Sequence, residues 1–409
     1  MSRPIGCVRI AVNPWLEVIA VRLSFRRAAG ILFIGILIEI AFVAGLLLSP
    51  TLIGSMPGAG GGPSPLLSEA WSLAEDSFYG EVPSATVRTY SAIRGMLSAY
   101  ADPYTLFVEP PQTQLQSQQL SGKFGGIGAN VRRETDGRIV LSPFPDRPAA
   151  RAGVQEGDVL VAVEQQPITP DMTLDAISLL LRGEVGTPVN IEVERAARRL
   201  PFTITRAEIS VPSVTWRLLT EAPTVGYVAI SIFAQPTKAE LIAAINDLRA
   251  KGATSLILDL RDNGGGLLDS AVDVAGQFVD GLVLIERRRD IGERTFSAGA
   301  GGAARDLPLV VLVNGGSASA AEIVAGAIQD RGRGKLIGEQ TFGKGSVQHI
   351  LPLSDGSSLH VTVAQWYTPG RRQITGQGLT PDVVVARTPD DLVAGRDPQL
   401  VRALEELMK

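Results

Sequence analysis

Hydrophobic positions along the chain follow three regimes with different periods. Residues 28–48 read AAGILFIGILIEIAFVAGLLL, apolar all round with a single charge at Glu39. A run of that length crosses the hydrocarbon core of a bilayer as one helix. Residues 66–101 repeat at helical spacing. Trp71, Leu73, Ala74 and Phe78 form one apolar stripe, and Ile93, Met96 and Leu97 another, so packing helices are expected. Between Gly122 and about Arg206 the period shortens: 139–141, 159–163 and 189–193 read as strands, separated by turn residues such as Thr135-Asp136-Gly137. One amphipathic helix, 174–182, interrupts them, with Leu174, Ile177 and Leu181 on one face. Beyond Val211, buried strands at 225–230, 256–260 and 309–313 alternate with helices at 238–250, 268–278 and 320–329, the order of an α/β core. A final helix is expected at 399–408.

These patterns divide the chain into a tail and membrane anchor (1–50), a Gly/Pro linker (51–64), a helical region (65–121), a β-rich domain (122–207), an α/β core (208–388) and a C-terminal helix (389–409). Composition adds orientation. Mean hydropathy of +0.18 is high for a soluble chain, and the 28–48 run explains much of it. Arg22, Arg26 and Arg27 precede that run, with Arg3 and Arg9 further back. By the positive-inside rule the tail stays cytoplasmic and everything after Leu48 lies outside. An A-x-A cleavage site does not follow the run, which favours an uncleaved anchor over a signal peptide. Glu39 reads as a tolerated or protonated carboxyl in a single anchor. Cys7, the one cysteine, falls on the cytoplasmic side, so the outer part carries no disulfide or thiol chemistry. A net charge of −4 gives no footing for nucleic acid. The histidine and cysteine inventory offers no ligand cluster, so neither a metal nor another cofactor is expected.

Candidate chemistry lies in the α/β segment. GEQTFGKGSVQHI, 338–350, nearly reads as a phosphate loop through Gly338, Gly343 and Lys344. Gly345 stands where the magnesium-binding hydroxyl belongs, and 346–351 alternate like a strand, so that reading fails. A solvated lysine in a glycine turn is the plain alternative. Further back, the turn after the 309–313 strand runs Asn314-Gly315-Gly316-Ser317-Ala318-Ser319-Ala320-Ala321-Glu322. A serine at a sharp strand-to-helix turn has free N–H groups and the helix dipole beside its hydroxyl, which suits a nucleophile. Ser319-x-x-Glu322 equally fits a capping box, which needs no catalysis. A nucleophilic serine needs a base, and the chain has two histidines, His349 and His360. If 345–351 is extended, Lys344 and Gln348 share one face and His349 takes the other. A desolvated lysine can be neutral and take the serine proton, with the Gln348 amide to orient it. Gly343 and Gly345 are expected to let this backbone pass close to the nucleophile.

The β-rich domain carries FGGIG at 124–128 and PAARAGVQEGD at 148–158, and with its strand order it resembles a PDZ domain. The resemblance implies capture of a peptide's terminal carboxylate by the loop Gly125, Gly126, Ile127 and Gly128. The peptide would add as a strand beside 127–131, against Ile177 and Leu181 of the helix. VLVNGGSASAAEIVAGAIQDRGRGKLIGEQTFGKGSVQ, 311–348, resembles the signature of the C-terminal processing (tail-specific) peptidases. Asp102-Pro103-Tyr104-Thr105, the LRGEVGT segment at 181–187 and WYTPGR with GQGLTPD at 366–382 extend the likeness over about 66–385. That resemblance implies a crotonase-like (Clp protease-like) α/β core with an inserted PDZ domain. It also implies Ser319 as nucleophile, Lys344 as general base and Gln348 as the residue that positions the lysine. The oxyanion hole would use the N–H of Ala320 and a glycine after an earlier strand, matched here by Gly265. Where the family often has N-P-G-G, this chain has Asn263-Gly264-Gly265-Gly266, so a looser turn is expected.

The sequence thus reads as a serine endopeptidase anchored by one pass in the cell (inner) membrane, its catalytic domain extracytoplasmic, taking protein substrates with accessible C-termini. A catalytically silent PDZ scaffold is the rival from another class, and it would be expected to lack Ser319, Lys344 or Gln348. A crotonase-type acyl-transfer enzyme has no use for the PDZ domain. Residues 66–100 and 399–408 offer helices through which a homo-oligomer could form.

Overall fold

The computed structural model describes residues 64–409. The tail, the apolar 28–48 run, Cys7 and most of the Gly/Pro tether lie outside the described residues. The chain divides into two compact units, Met1–Ser84 and Ala85–Lys409. In the first, the described part is the helix Pro65–Ser77, opened by Ser64, whose hydroxyl accepts the Leu66 N–H, and by proline in its first turn. None of its residues is buried, and Leu66, Leu73 and, just past its end, Phe78 are exposed. Among the described residues no helix is long and apolar enough to cross a membrane.

The second unit is built on a six-stranded sheet. Its strands, in spatial order, are Val214–Leu218, Val225–Ile230, Ser255–Asp259, Leu309–Val313, Lys335–Gly338 and Val383–Val384; the first pair is antiparallel and the rest parallel. All five residues of Ser255–Asp259 and of Leu309–Val313 are buried, as parallel strands covered on both faces require. Alternation then sorts the side chains. Leu256, Leu258, Val311 and Val313 pack toward the helices Thr237–Ala250, Leu268–Ala275 and Ala320–Asp330. Ile257, Val310 and Leu312 face the other way, onto Ala403, Leu400 and Leu404 of the C-terminal helix Pro398–Leu407. That helix therefore spends its apolar face on its own sheet, although Val401 stays exposed.

A five-stranded antiparallel sheet lies beside this core. The long strand Ser358–Tyr367 pairs with Ser346–Pro352 along one edge, and with Leu106–Val108 and Gly281–Arg288 along the other. The β-rich domain has its own sheet, in the order Ala129–Arg133, Ile139–Pro143, Asp158–Val163, Pro188–Arg195, Arg198–Thr205. Its separate core holds Leu141, Val163, Ile177, Val189 and Val193. Entry and exit of this domain are stitched by the two-stranded ribbon Lys123–Gly126 with Ala207–Ser210, which makes it an insertion between the helix Pro110–Ser121 and the main sheet.

Candidate active site

Two turns at the ends of neighbouring parallel strands form a platform. After Val313, Asn314 Oδ1 accepts from the N–H groups of Gly316 (3.0 Å) and Asp262 (2.9 Å). Ser317 Oγ donates to Leu260 O (2.7 Å), and the Ala318 N–H donates to Asn263 O (2.9 Å). The turn following Ser255–Asp259 is thus tied to the turn that carries Ser319. Ser319 itself has φ +53° and ψ −113°, a conformation that costs a non-glycine residue about 1–3 kcal/mol and is held by its surroundings. It is half-buried at the N-terminus of Ala320–Asp330, and among the described residues the Ala320 N–H makes no hydrogen bond.

Glu322, fully buried, is the keystone of the site. Its Oε2 accepts from the N–H of Ser319 (2.8 Å) and of Lys344 (2.9 Å). Its Oε1 accepts from Thr341 Oγ1 (2.5 Å) and the Gly343 N–H (2.7 Å). Capping by Glu322 thus does not compete with a nucleophile at Ser319. The carboxylate that caps the helix also fastens the lysine loop to it.

Gly265 lies against the nucleophile turn at φ +106°, where an added Cβ would meet Ser319 Cβ at 2.9 Å and the Ala320 nitrogen at 3.1 Å. Only glycine fits that approach. The turn expected to be loose is tied instead. Asn263 is fully buried, its Nδ2 donates to Ile230 O (2.7 Å), and its Oδ1 accepts the Gly265 N–H (2.9 Å). The Gly265 amide is thereby occupied, while among the described residues the Gly266 N–H makes no hydrogen bond.

Lys344 sits just before Ser346–Pro352, half-buried, with its backbone pinned on both sides. Glu322 takes its N–H, and its carbonyl accepts Trp366 Nε1 (3.1 Å). Its Nζ makes no hydrogen bond among the described residues, and stands 5.0 Å from the centre of the Tyr104 ring. Burial lowers the Lys344 pKa below the ordinary lysine value, against a smaller upward pull from Asp102. The neighbouring glycines serve a different contact from the one expected. A Cβ on Gly343 would strike the Gly378 nitrogen at 2.7 Å, and one on Gly345 the Thr375 Oγ1 at 2.4 Å, so the close approach is to 374–378 rather than to Ser319.

A cavity of about 430 Å³ joins these parts. Ser319, Ala320, Gly264, Gly265, Gly266, Lys344 and Gln348 all line it. Gln348 shares the cavity with Lys344, but its amide donates to Ser346 Oγ (2.6 Å) and Thr362 Oγ1 (3.3 Å). His349 is exposed and outside it. His360, given no role in the sequence reading, lines the wall with a buried Nε2 that has no hydrogen-bond partner among the described residues. Burial, and then the Lys344 charge, lower its pKa below the ordinary histidine value. Gln116, Gln119 and Leu120, from the helix Pro110–Ser121, close the cavity from the side of the inserted domain.

The inserted domain has a groove of about 150 Å³ between Ala129–Arg133, whose outer edge is unpaired among the described residues, and the helix Leu174–Leu181. Gly126, Ile127, Gly128 and Leu181 line it, and among the described residues the N–H groups of Ile127 and Gly128 are unpaired. Two of the expected peptide contacts lie elsewhere. Ile177 is wholly within the domain core, and Gly125 packs on the 183–185 backbone, its carbonyl accepting the Gly183 N–H. Arg182 stacks 3.9 Å from the Phe124 ring centre and donates to Gln118 Oε1 (2.8 Å).

Comparison with known proteins adds the family. The model of peptidase family S41 matches residues 224–385, and a PDZ-domain model matches 139–195. A carboxy-terminal-processing protease of Bartonella bacilliformis is 37% identical over 330 residues, 79% of this chain and 75% of that protein. The chain is a family S41 serine peptidase. It is a serine-type endopeptidase of the carboxy-terminal-processing group, with a PDZ domain. A carboxyl-terminal-processing protease of Synechocystis is likewise 37% identical, over 77% of this chain and 75% of that protein. Among solved structures, the photosystem II D1 C-terminal processing protease shares 34% identity over 77% of this chain and 86% of its own, at a TM-score of 0.45.

Proposed function

We propose that this S41 peptidase cleaves polypeptides by a Ser319/Lys344 mechanism, with the PDZ groove capturing the substrate's C-terminal residues. The observation that carries this reading is the shared cavity. A serine at a strained helix N-terminus, the unpaired Ala320 N–H and a lysine with a lowered pKa face one volume. Neutral Lys344 takes the Ser319 proton as Oγ attacks the scissile carbonyl, and the oxyanion forms against the Ala320 N–H. The lysinium returns the proton to the leaving amine. Water, deprotonated by the same amine, then hydrolyses the acyl-enzyme. The second oxyanion donor comes from the 264–266 turn: Gly265 once Asn263 releases it, or Gly266. Gln348 aligns the amine after leaving Ser346. The core is read as crotonase-like, and the 28–48 run as an anchor that places the peptidase outside the cell membrane.

Cleavage of an unstructured protein by wild type, Ser319→Ala and Lys344→Ala tests the mechanism. Wild type should cut, both variants should fail, and the rate should rise with pH through a pKa below that of free lysine. Activity retained by Lys344→Ala but lost in a histidine variant would overturn the assignment of the base. Equal binding of peptide C-termini without cleavage by any of the three would favour the scaffold reading.

A further inference from the structure

The C-terminal helix reaches the catalytic platform through a guanidinium. Arg261, one residue past the strand Ser255–Asp259, is nearly enclosed, its side chain 9% exposed. On one side its Nη2 (2.6 Å) and Nε (3.0 Å) donate to the Asp259 carboxylate, which also accepts Tyr227 Oη (2.5 Å). On the other side its Nη1 donates to Asp397 Oδ1 (2.9 Å) and Gln399 Oε1 (3.0 Å). Asp397 caps the start of Pro398–Leu407 by accepting the Leu400 N–H (3.0 Å), so one carboxylate opens the helix and holds the arginine. Gln399 is buried, and its Nε2 donates to Val385 O (2.9 Å).

Beyond Arg261 the chain runs directly into Asp262, Asn263 and the three glycines that face Ser319. The flank of Arg261 away from the helix is not packed. It opens on a polar cavity of about 310 Å³ lined also by Tyr227, Ser231, Asp262 and Arg387. Ser231 lines the active-site cavity as well, so the 262–264 turn separates two open volumes. Asn263 and the close approach of Gly265 to Ser319 hold the inner side of this turn, and Arg261 fixes the chain one residue before its exposed start at Asp262.

We propose that Asp397 and Gln399 are positioning residues for the 264–266 oxyanion turn, acting through Arg261. This rests on the serine mechanism above, since an oxyanion turn matters only to that chemistry. Donors in this turn act on charge that develops during the reaction, so their displacement lowers kcat and leaves substrate binding largely intact.

Gln399 separates this role from simple docking of the helix. Gln399→Met keeps the length and apolar stem but offers Arg261 no acceptor. Gln399→Glu keeps the acceptor, while losing the donor to Val385 O. Steady-state cleavage of one peptide substrate by the full chain in detergent, with melting temperatures, compares both variants to wild type and Ser319→Ala. The expected result is a kcat about tenfold lower for Gln399→Met at a KM within about twofold, with Gln399→Glu near wild type. Asp397→Ser, which keeps a capping hydroxyl but cannot reach Arg261, should resemble Gln399→Met. Equal losses in the Met and Glu variants, tracking the melting temperature, would show a docking contact and overturn the proposal. Unchanged kcat in all three would also overturn it while leaving the serine mechanism standing. A wild type no more active than Ser319→Ala would remove both.

Discussion

The main chain and the side-chain tips of this site are held very differently. Under Ser319 and Lys344 the backbone is tied at every turn: both N–H groups go to Glu322, the Lys344 carbonyl to Trp366, and the 314–318 turn to Leu260 and Asn263. The side-chain tips that line the cavity are held less uniformly. Lys344 Nζ and His360 Nε2 have no hydrogen-bond partner among the described residues, and the Gln348 amide is turned to Ser346. Backbone donors for an oxyanion must be in place before charge develops, because reorganising them during the reaction forfeits their benefit. A proton-transfer contact can tighten when substrate fills the cavity and expels water. On the proposed mechanism the Ala320 donor is already in place, whereas the Gly265 N–H is held by Asn263 and the proton-transfer tips await substrate.

Removing a free tip should separate activity from stability most completely. Lys344→Met replaces a partly desolvated amine by an apolar chain of similar length. We expect cleavage to fall by roughly 10³-fold or more, with a melting temperature equal to wild type or higher. A clear drop in melting temperature would mean that Nζ is anchored, and would break the contrast. Cutting the tied side should cost both properties. In Glu322→Gln one oxygen becomes NH₂ and must face two of the four donors now satisfied. We expect about 3 kcal/mol of lost stability by denaturant unfolding, and kcat lower by about 10².

The groove of the PDZ domain is a third region, where binding rather than chemistry should respond. Ser178 lines it from Leu174–Leu181, and Ser178→Phe would fill much of its 150 Å³. KM for a substrate with a free C-terminus should rise about tenfold at little cost in kcat. Amidating that C-terminus should weaken wild type in the same way and add little in the variant. A kcat effect instead would mean that the groove acts on the catalytic cavity, for which Arg182 on Gln118 offers a physical contact.

Legibility in the sequence followed the same division. Strand and helix order could be read from apolar period, because that signal is local; the turns alone left Ser319 between a cap and a nucleophile and Lys344 between a solvated side chain and a base, and the family resemblance supplied their proposed roles. Glu322 was visible as a cap, but not as the clamp on Thr341, Gly343 and Lys344, since nothing local says that 319 and 344 are neighbours in space. Asn263 was read through the proline missing after it, yet its buried carboxamide restrains the turn. His360 went unassigned because its strand pattern places it on a face without saying what that face lines. The 65–77 helix was legible as a helix, but amphipathicity shows that an apolar stripe exists, not what covers it.

Tyr104 offers the finest test of how the free tip is tuned. Its ring lies near Lys344 Nζ at 5.0 Å, a placement that favours the charged amine. Burial acts the other way and prevails, which is why the pKa lies below the ordinary value. Tyr104→Leu keeps the apolar cover and removes the ring's attraction for the cation. Lys344 should then lose its proton more readily, and the rising limb of kcat/KM against pH should move to lower pH. An attraction of about 0.5–1 kcal/mol corresponds to roughly half a pH unit. Below the limb the variant would be a few-fold faster than wild type, and on the plateau equal to it. A shift to higher pH would mean that the ring's main effect is to shield the amine from water.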